Sequence, residues 1–149
     1  EGSSRADREG AADGGSREGA AEGGSRPSPE QPPEDELPVT ATWKLAGDLG
    51  RRYGSVSGDL NPIHIHPLSA RLFGFPTAIA HGMWTNARCL AALDPRLPER
   101  FAVEVEFRKP ILLPATVQFS ELETTGGIRF GVRGAGKGTP HLDGSVSFA

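Results

Sequence analysis

The sequence predicts an α+β domain in which an antiparallel β-sheet wraps around one buried helix. The first observation behind this prediction is the stretch at residues 79–93, which is apolar enough to form a largely buried helix. The second is the change of hydrophobic period to two after Pro98, which is typical of strands with one covered face. A buried helix followed by a run of such strands indicates a sheet packed against that helix.

The central helix is expected to bury one apolar stripe. Residues three and four positions apart share a helix face, so the large side chains on that face should point into the core. The stripe consists of Met83, Trp84, Ala87, Leu90 and Ala91, and Cys89 and Leu93 widen it.

The other elements follow from local patterns. Residues 40–45 are expected to form the first strand and residues 46–56 the first helix, which should end at Gly58. Gly126 and Gly127 predict a turn between two later strands. Four later strands are expected where apolar and polar residues alternate, at 101–108, 115–123, 128–133 and 141–148.

Residues 59–80, between the two helices, are expected to be irregular apart from one helical turn over residues 68–73. Pro62, Pro67, Gly74 and Pro76 interrupt this segment. A long irregular segment in a small domain is usually functional.

Residues 1–38 form a tail of different composition, which places the folded domain at residues 39–149. The tail contains the direct repeat REGAADGGS–REGAAEGGS and ends in a proline-rich stretch. Up to Leu37 it has ten acidic residues and four arginines, a net charge of −6 against −3 for the whole chain, so the remainder carries +3. Too little apolar surface is present to offset the loss of chain entropy, so the tail is predicted to be disordered and its end to act as an extended linker.

Composition also limits the cellular compartment and the partners that we expect for the domain. The single cysteine excludes a disulfide within the chain, and no apolar run is long enough to span a membrane. We therefore expect a cytoplasmic protein with no membrane and no nucleic-acid partner, since Arg71, Arg129 and Arg133 suit solvated faces better than a phosphate-binding patch. The first residue is glutamate rather than methionine, which predicts a processed product or a piece of a longer protein.

Asp59 and His64 are the leading candidates for chemistry. Between them, Asn61-Pro62 interrupts helical geometry and forces a bend. The bend can turn both side chains toward one cavity, where a carboxylate and a neutral imidazole could share one water as base and acid. Spacing alone favours the alternative, a turn in which Asp59 caps backbone amides and His64 is a hydrogen-bonded surface group.

The start of the central helix is a second candidate site. A helix N-terminus presents unpaired amides, and Gly82 would let a ligand carbonyl approach them closely. Such amides can stabilise a developing oxyanion. The alternative is a glycine required for close packing, with His81 as a hydrogen-bonded structural histidine rather than a donor to a ligand.

A metal site is a third candidate, which the sequence disfavours. His64 and His66 with either Asp59 or His81 have the residue types of a ligand set. Pro67 follows directly, however, and no carboxylate other than Asp59 lies nearby. We therefore expect neither a metal nor another cofactor.

These motifs resemble those of a known family. The stretch YGSVSGDLNPIHIHPLSARLFGFPTAIAHGM, followed by VEVEFRKPILLPATV, resembles the signature of the MaoC-like, R-specific enoyl-CoA hydratases, also called type 2 hydratases. The resemblance covers residues 39–148 and none of the tail, and it is closest to the C-terminal halves of members with two such domains. It implies the hot-dog fold, in which an antiparallel sheet wraps a long central helix.

The resemblance also implies an activity and a role for individual residues. The activity would be addition of water across a trans-2-enoyl thioester, or the reverse dehydration of a (3R)-hydroxyacyl thioester. Asp59 and His64 would be the catalytic acid–base pair, and the Gly82 amide would stabilise the oxyanion. The residues that would contact the substrate, with the acyl chain beside the central helix, are Asn61, His81, Met83, Trp84 and Ala87.

One position departs from the family pattern. Some members have a serine eight residues after the glycine, hydrogen-bonded to the catalytic aspartate, and this chain has Leu90 there. Thr85, Asn86 or a backbone amide is expected to serve instead, or Asp59 is less well oriented.

The substrate implied by the resemblance is an acyl-CoA or acyl-carrier-protein thioester. The implied partner is a second copy or a second hot-dog domain, because a single sheet around one helix leaves an open edge. The alternative function is a non-catalytic hot-dog subunit that binds acyl-CoA or supports a partner. A thioesterase on the same fold is a further alternative, but it would need a carboxylate directed at the carbonyl carbon.

Overall fold

The computed structural model describes residues 37–149, so residues 1–36 of the predicted disordered tail and linker lie outside the described residues. Leu37 and Pro38, which were predicted to belong to that tail, pack on the domain: Leu37 is only 6% exposed and the Pro38 carbonyl accepts from the Glu121 amide. The helices are α1 (Leu49–Ser57), α2 (Pro62–Ile65), α3 (Pro67–Leu72) and α4 (Gly82–Leu93), and the strands are β1 (Val39–Leu45), β2 (Phe101–Phe107), β3 (Ala115–Thr124), β4 (Gly127–Gly134) and β5 (Pro140–Phe148). A short 3₁₀ turn follows α4. None of the helices in this range is both long and apolar enough to cross a membrane.

The five strands form one antiparallel sheet in the order β1-β3-β4-β5-β2. Its inner face carries Phe119, Phe130 and Val132, each at most 1% exposed. Cys89 and Leu93 of α4 belong to the same core cluster, so this helix packs against the inner face of the sheet. The predicted α+β class, with a sheet around a buried helix, is confirmed.

The central helix begins later than its apolar pattern predicts. Ile79 pairs with Leu112 in an isolated β-bridge, and the Ala80 amide donates to the Ile111 carbonyl at 3.0 Å. These backbone bonds hold the segment extended up to His81, so α4 starts only at Gly82.

The predicted buried stripe of α4 is correct for Cys89 and Leu93, which lie in the core, and wrong for Met83 and Ala87. The face that packs into the core consists of Thr85, Cys89 and Leu93, whereas the side chain of Met83 is 58% exposed and Ala87 is exposed. Apolar residues surround most of this helix, so the sequence offers several stripes of similar apolarity. Thr85 can be buried because its hydroxyl donates to the His81 carbonyl one turn earlier, at 3.4 Å.

The segment before α4 contains two short helices where one turn was expected. Asn61 caps α2 and His66 caps α3, and each helix starts at a proline. Proline suits the first position of a helix because its fixed φ is helical and the first amide has no intrahelical acceptor. Pro62 and Pro67 therefore begin helices here as well as ending the preceding segments.

Candidate active site

Two glycines of α1 allow the segment that carries Asp59 and His64 to pack directly on this helix. A Cβ atom added at Gly50 would lie 1.8 Å from the carbonyl oxygen of His64, and one added at Gly54 would lie 2.8 Å from that of Asp59. Glycine weakens a helix, but it is the residue that permits such close backbone contact. The helix then ends at Gly58, as predicted, with φ of +79°.

Asp59 lies in a turn built by side-chain bonds to the backbone. Its amide donates to Ser57 Oγ at 3.2 Å, and its Oδ1 accepts from the Asn61 amide at 3.2 Å. Asn61 Oδ1 in turn accepts from the Ile63 amide at 3.3 Å and caps α2. One oxygen of Asp59 therefore caps a backbone amide, while its side chain remains 55% exposed.

His64 is buried, so the expectation of a surface histidine is wrong. Its Nδ1 lies 2.7 Å from the Ile79 carbonyl oxygen. A carbonyl only accepts, so Nδ1 carries the proton and neutral His64 keeps its lone pair on Nε2. Burial lowers the pKa of His64 below its usual 6.5, because desolvation disfavours the imidazolium; the Ile79 hydrogen bond opposes this effect. His64 is therefore a neutral acceptor near neutral pH.

His81 contacts both Asp59 and His64. Its ring stacks on that of His64, with centroids 3.7 Å apart and planes inclined by 23°, and the Tyr53 ring packs edge-on at 4.9 Å. His81 Nε2 donates to the Asp59 carbonyl at 3.0 Å and lies 3.6 Å from Asp59 Oδ2. His81 is only 3% exposed and bonds the backbone through Nε2, while its buried Nδ1 has no hydrogen-bond partner among the described residues.

One ligand atom each from Asp59, His64 and His81 lie within 4.8 Å of one another. One ring nitrogen of each histidine has a structural use, since His64 Nδ1 and His81 Nε2 each bond a backbone carbonyl. His66 is not part of this cluster, because its Nδ1 accepts from the Leu68 amide and caps α3. The expectation of no metal stays a prediction.

Asp59, His64 and Gly82, the candidate catalytic residues, line one cavity of about 310 Å³, which we call the reactive cavity. Its lining consists of Asp59, His64, His81, Gly82, Tyr53, Ser57, Met83 and Phe107. Gly82 is the first residue of α4, where the amide has no intrahelical acceptor. A carboxylate, a neutral imidazole and a helix N-terminus therefore face a common space.

A second cavity of about 300 Å³, which we call the apolar cavity, adjoins the first. Phe75, Ile79, Ala80 and Ile111 contribute its apolar surface, and Thr85 lines it from α4. Its remaining lining residues are His64, Gly82, Phe107, Arg108, Lys109, Pro110 and His141.

Three of the predicted substrate contacts line neither cavity. Asn61 is used to cap α2, Trp84 packs against the core, and Ala87 lies on the exposed side of α4. Sequence reasoning missed Phe107 as a site residue, because nothing in the local sequence points to it, and it named Thr85 only as a partner of Asp59 rather than as part of a cavity lining. Counting helical positions from Gly82 would have placed Thr85 at the site, one turn along.

Leu90 occupies the position of the family's serine, and Asp59 Oδ1 accepts from the backbone amide of Asn61. Thr85 bonds the His81 carbonyl instead. Of the groups named from the sequence as partners of Asp59, the backbone amide is the one bonded to it, and the alternative of a less well oriented Asp59 stays a prediction.

Comparison with known proteins identifies the family. A family model described as "MaoC like domain" matches residues 25–139. The chain is 44% identical over 121 residues to 3-hydroxyacyl-thioester dehydratase X of Mycobacterium tuberculosis, a match that covers 79% of this chain and 43% of the relative. The chain thus spans less than half the length of that relative.

Solved structures agree with this assignment. The crystal structure of HtdX from Mycobacterium tuberculosis superposes with a TM-score of 0.72 at 45% identity, covering 75% of this chain and 48% of that one. R-hydratase PhaJ1 from Pseudomonas aeruginosa gives a TM-score of 0.57 at 27% identity, covering 76% and 82% of the two chains. The chain therefore belongs to the MaoC-like domain family and has its hot-dog fold.

Proposed function

We propose that this domain carries the site of an enoyl-thioester hydratase, which in reverse is a 3-hydroxyacyl-thioester dehydratase. The proposal rests on one observation: Asp59, neutral His64 and Gly82 at the N-terminus of α4 line the same cavity. The names of two relatives, a 3-hydroxyacyl-thioester dehydratase and an R-hydratase, support the same class of reaction.

In this proposal one water molecule lies between His64 Nε2 and Asp59. His64 removes a proton from the water as its oxygen bonds the β-carbon of the enoyl thioester. The imidazolium formed then returns a proton to the α-carbon, so that OH and H are added across the double bond. Asp59 accepts a hydrogen bond from the second water hydrogen and stabilises the transient imidazolium. Hydrogen bonding of Nδ1 to Ile79 supports the assignment of Nε2 as the base.

The enolate oxygen that develops during this addition needs a hydrogen-bond donor. We assign this role to the Gly82 amide, because a helix N-terminus combines an unpaired N–H with a partial positive charge. A preorganised donor of this kind typically contributes about 3 kcal/mol to transition-state stabilisation.

We assign His81 a positioning role rather than a role in substrate binding. It stacks on His64 and donates to the Asp59 carbonyl, so it constrains both members of the pair. Because a misplacement of about 1 Å can lower a rate by about 10²-fold, a rigid contact to both groups is valuable in this mechanism.

The proposed substrate is an acyl-CoA or acyl-carrier-protein thioester, and the proposed partner is a second copy or a second hot-dog domain. Strand β2 is an edge of the five-stranded sheet. An open strand edge suits pairing with another sheet. A fully active, monodisperse monomer in light scattering would contradict this pairing.

The test of the proposed activity is hydration of crotonyl-CoA by the full chain. The expected result is loss of the enoyl-thioester absorbance, with R-configured 3-hydroxybutyryl-CoA as the product on chiral analysis. Binding of crotonyl-CoA without turnover would instead support the non-catalytic subunit. Formation of the S product would contradict the proposed stereochemistry.

A further inference from the structure

Phe107 lies at the boundary between the reactive cavity and the apolar cavity. The two linings share Phe107, Gly82 and His64. A Cβ atom added at Gly82 would lie 3.0 Å from Phe107 Cε1 and 3.3 Å from Cζ, so the aromatic ring packs on this glycine. The boundary between the cavities therefore runs along the contact between the ring and the start of α4.

The position of Phe107 in the sheet directs it toward this boundary. It is the last residue of β2 and pairs with Leu142 of β5. Leu142 is fully buried, and directly opposed residues of an antiparallel pair project to the same face. The Phe107 ring thus lies on the inner face, but it is 48% exposed because β2 is an edge strand.

Each cavity alone is small for a long substrate. The volumes, about 310 and 300 Å³, lie at the lower end of the range of about 300–1,000 Å³ for ligand pockets. A short enoyl group and the adjoining part of the thiol arm suit the reactive cavity. A long acyl chain needs further apolar volume, and Phe75, Ile79 and Ile111 supply it on the other side of Phe107.

We propose that Phe107 determines the acyl-chain length that the site accepts. In the observed position its ring limits the reactive cavity to short chains, and movement of the ring away from Gly82 opens the apolar cavity to longer ones. Such movement is feasible because the half-exposed ring can change between staggered rotamers without disturbing the buried core. This inference rests on the proposed function and names a specificity-determining residue for it.

The test compares kcat/KM for crotonyl-CoA, octenoyl-CoA and dodecenoyl-CoA in the wild type and in Phe107→Ala. Each methylene buried in an apolar site strengthens binding about fourfold. We therefore expect the ratio of dodecenoyl to crotonyl kcat/KM to rise by about tenfold or more in Phe107→Ala. Phe107→Trp, which enlarges the ring, should lower the same ratio.

Phe101→Ala is the matched control. Phe101 has the same residue type on the same strand and face, but it lines neither cavity, so the ratio should stay at the wild-type value. An equal change at every chain length in Phe107→Ala would overturn the proposal, because the apolar cavity would then accommodate the common thiol arm rather than the acyl chain.

A binding measurement separates this inference from the proposed activity. Calorimetric titration with butyryl-CoA and dodecanoyl-CoA needs no turnover, and thermal melting of each variant reports whether it folds. If the wild type binds both thioesters without hydrating any enoyl-CoA, the proposed activity fails. The inference is then tested by the ratio of the Kd values for butyryl-CoA and dodecanoyl-CoA. This ratio must favour dodecanoyl-CoA more strongly in Phe107→Ala than in the wild type. Absence of binding of either thioester to the wild type would overturn both.

Discussion

The inner face of the sheet and the helical segment from α1 to α4 pack in different ways. In the sheet, large side chains pack on one another: Trp43 and Phe119 stack with centroids 5.0 Å apart, and Phe130 lies 6.3 Å from Phe119. In the helical segment, backbone packs on backbone, because Gly50 leaves no room for a Cβ atom beside the His64 carbonyl. Side chains can adjust to added volume more readily than backbone can. The position of His64 therefore depends on the absence of a side chain.

Gly50→Ala should have the largest effect of any single methyl addition in the helical segment. The added carbon would lie 1.8 Å from the His64 carbonyl oxygen, so α1 and α2 must separate. We expect a loss of about 3 kcal/mol or more in the free energy of unfolding, together with loss of crotonyl-CoA hydration. Chemical denaturation and the hydration assay measure the two effects. Gly47→Ala is the control, since its Cβ would meet only Pro114 Cδ at 3.9 Å; equal stability of the two variants would refute the account.

Gly82→Val should lower activity far more than stability. The new side chain meets the Phe107 ring, which is half exposed and can move, so the melting temperature should change little. The branched side chain would occupy the space beside the proposed oxyanion donor, and we expect kcat/KM for crotonyl-CoA to fall by about 10²- to 10³-fold. Normal kcat/KM in this variant would mean that the donor lies elsewhere.

Gly144→Ala should show the opposite pattern in the sheet. Its Cβ would lie 2.5 Å from Cζ of Phe130, a buried side chain that can shift only at the expense of its neighbours. Overpacking of this kind costs about 1–3 kcal/mol, which denaturation would measure. Activity per folded molecule should be retained, because neither residue lines the reactive cavity. A large loss of activity at unchanged stability would show that the two regions are not independent.

The smallest expected effect is in the pH dependence of the reaction. Desolvation lowers the pKa of His64 below 6.5, so its base form persists at pH values where an exposed histidine is already protonated. The acid limb of kcat/KM for crotonyl-CoA should therefore lie below pH 6.5. Unfolding would take up a proton in the same range, so the free energy of unfolding should also decrease as the pH falls below 6.5. An acid limb above that value would show that another group is the base.

The contrast between the sheet and the helical segment also explains how much of the fold could be predicted from the sequence. Apolar and polar residues alternate with period two over residues 128–133, and the apolar ones, Ile128, Phe130 and Val132, are all at most 1% exposed. The buried face of α4 could not be identified in this way, because apolar residues surround the helix and the face that is buried includes Thr85. Local periodicity identifies the buried face of a strand or helix when the opposite face is polar. It does not identify that face when apolar residues surround the element.

The site could be predicted only in part. The family resemblance named Asp59, His64 and Gly82, and they line one cavity. Spacing alone favoured a turn, and Asp59 Oδ1 does cap the Asn61 amide. The burial of His64 and its stacking on His81 depend on contacts between residues far apart in the sequence, and α1 glycines make those contacts possible. No local pattern encodes such contacts.

The most direct test of the central claim is the turnover number of two variants at the proposed acid–base pair. His64→Ala and Asp59→Asn should each lower kcat for crotonyl-CoA by about 10²-fold or more and leave the folded structure intact by circular dichroism. His66→Ala is the control, because the exposed His66 only caps α3, and its kcat should stay near the wild-type value. Near-wild-type turnover in either His64→Ala or Asp59→Asn would contradict the claim that these two residues form the catalytic pair.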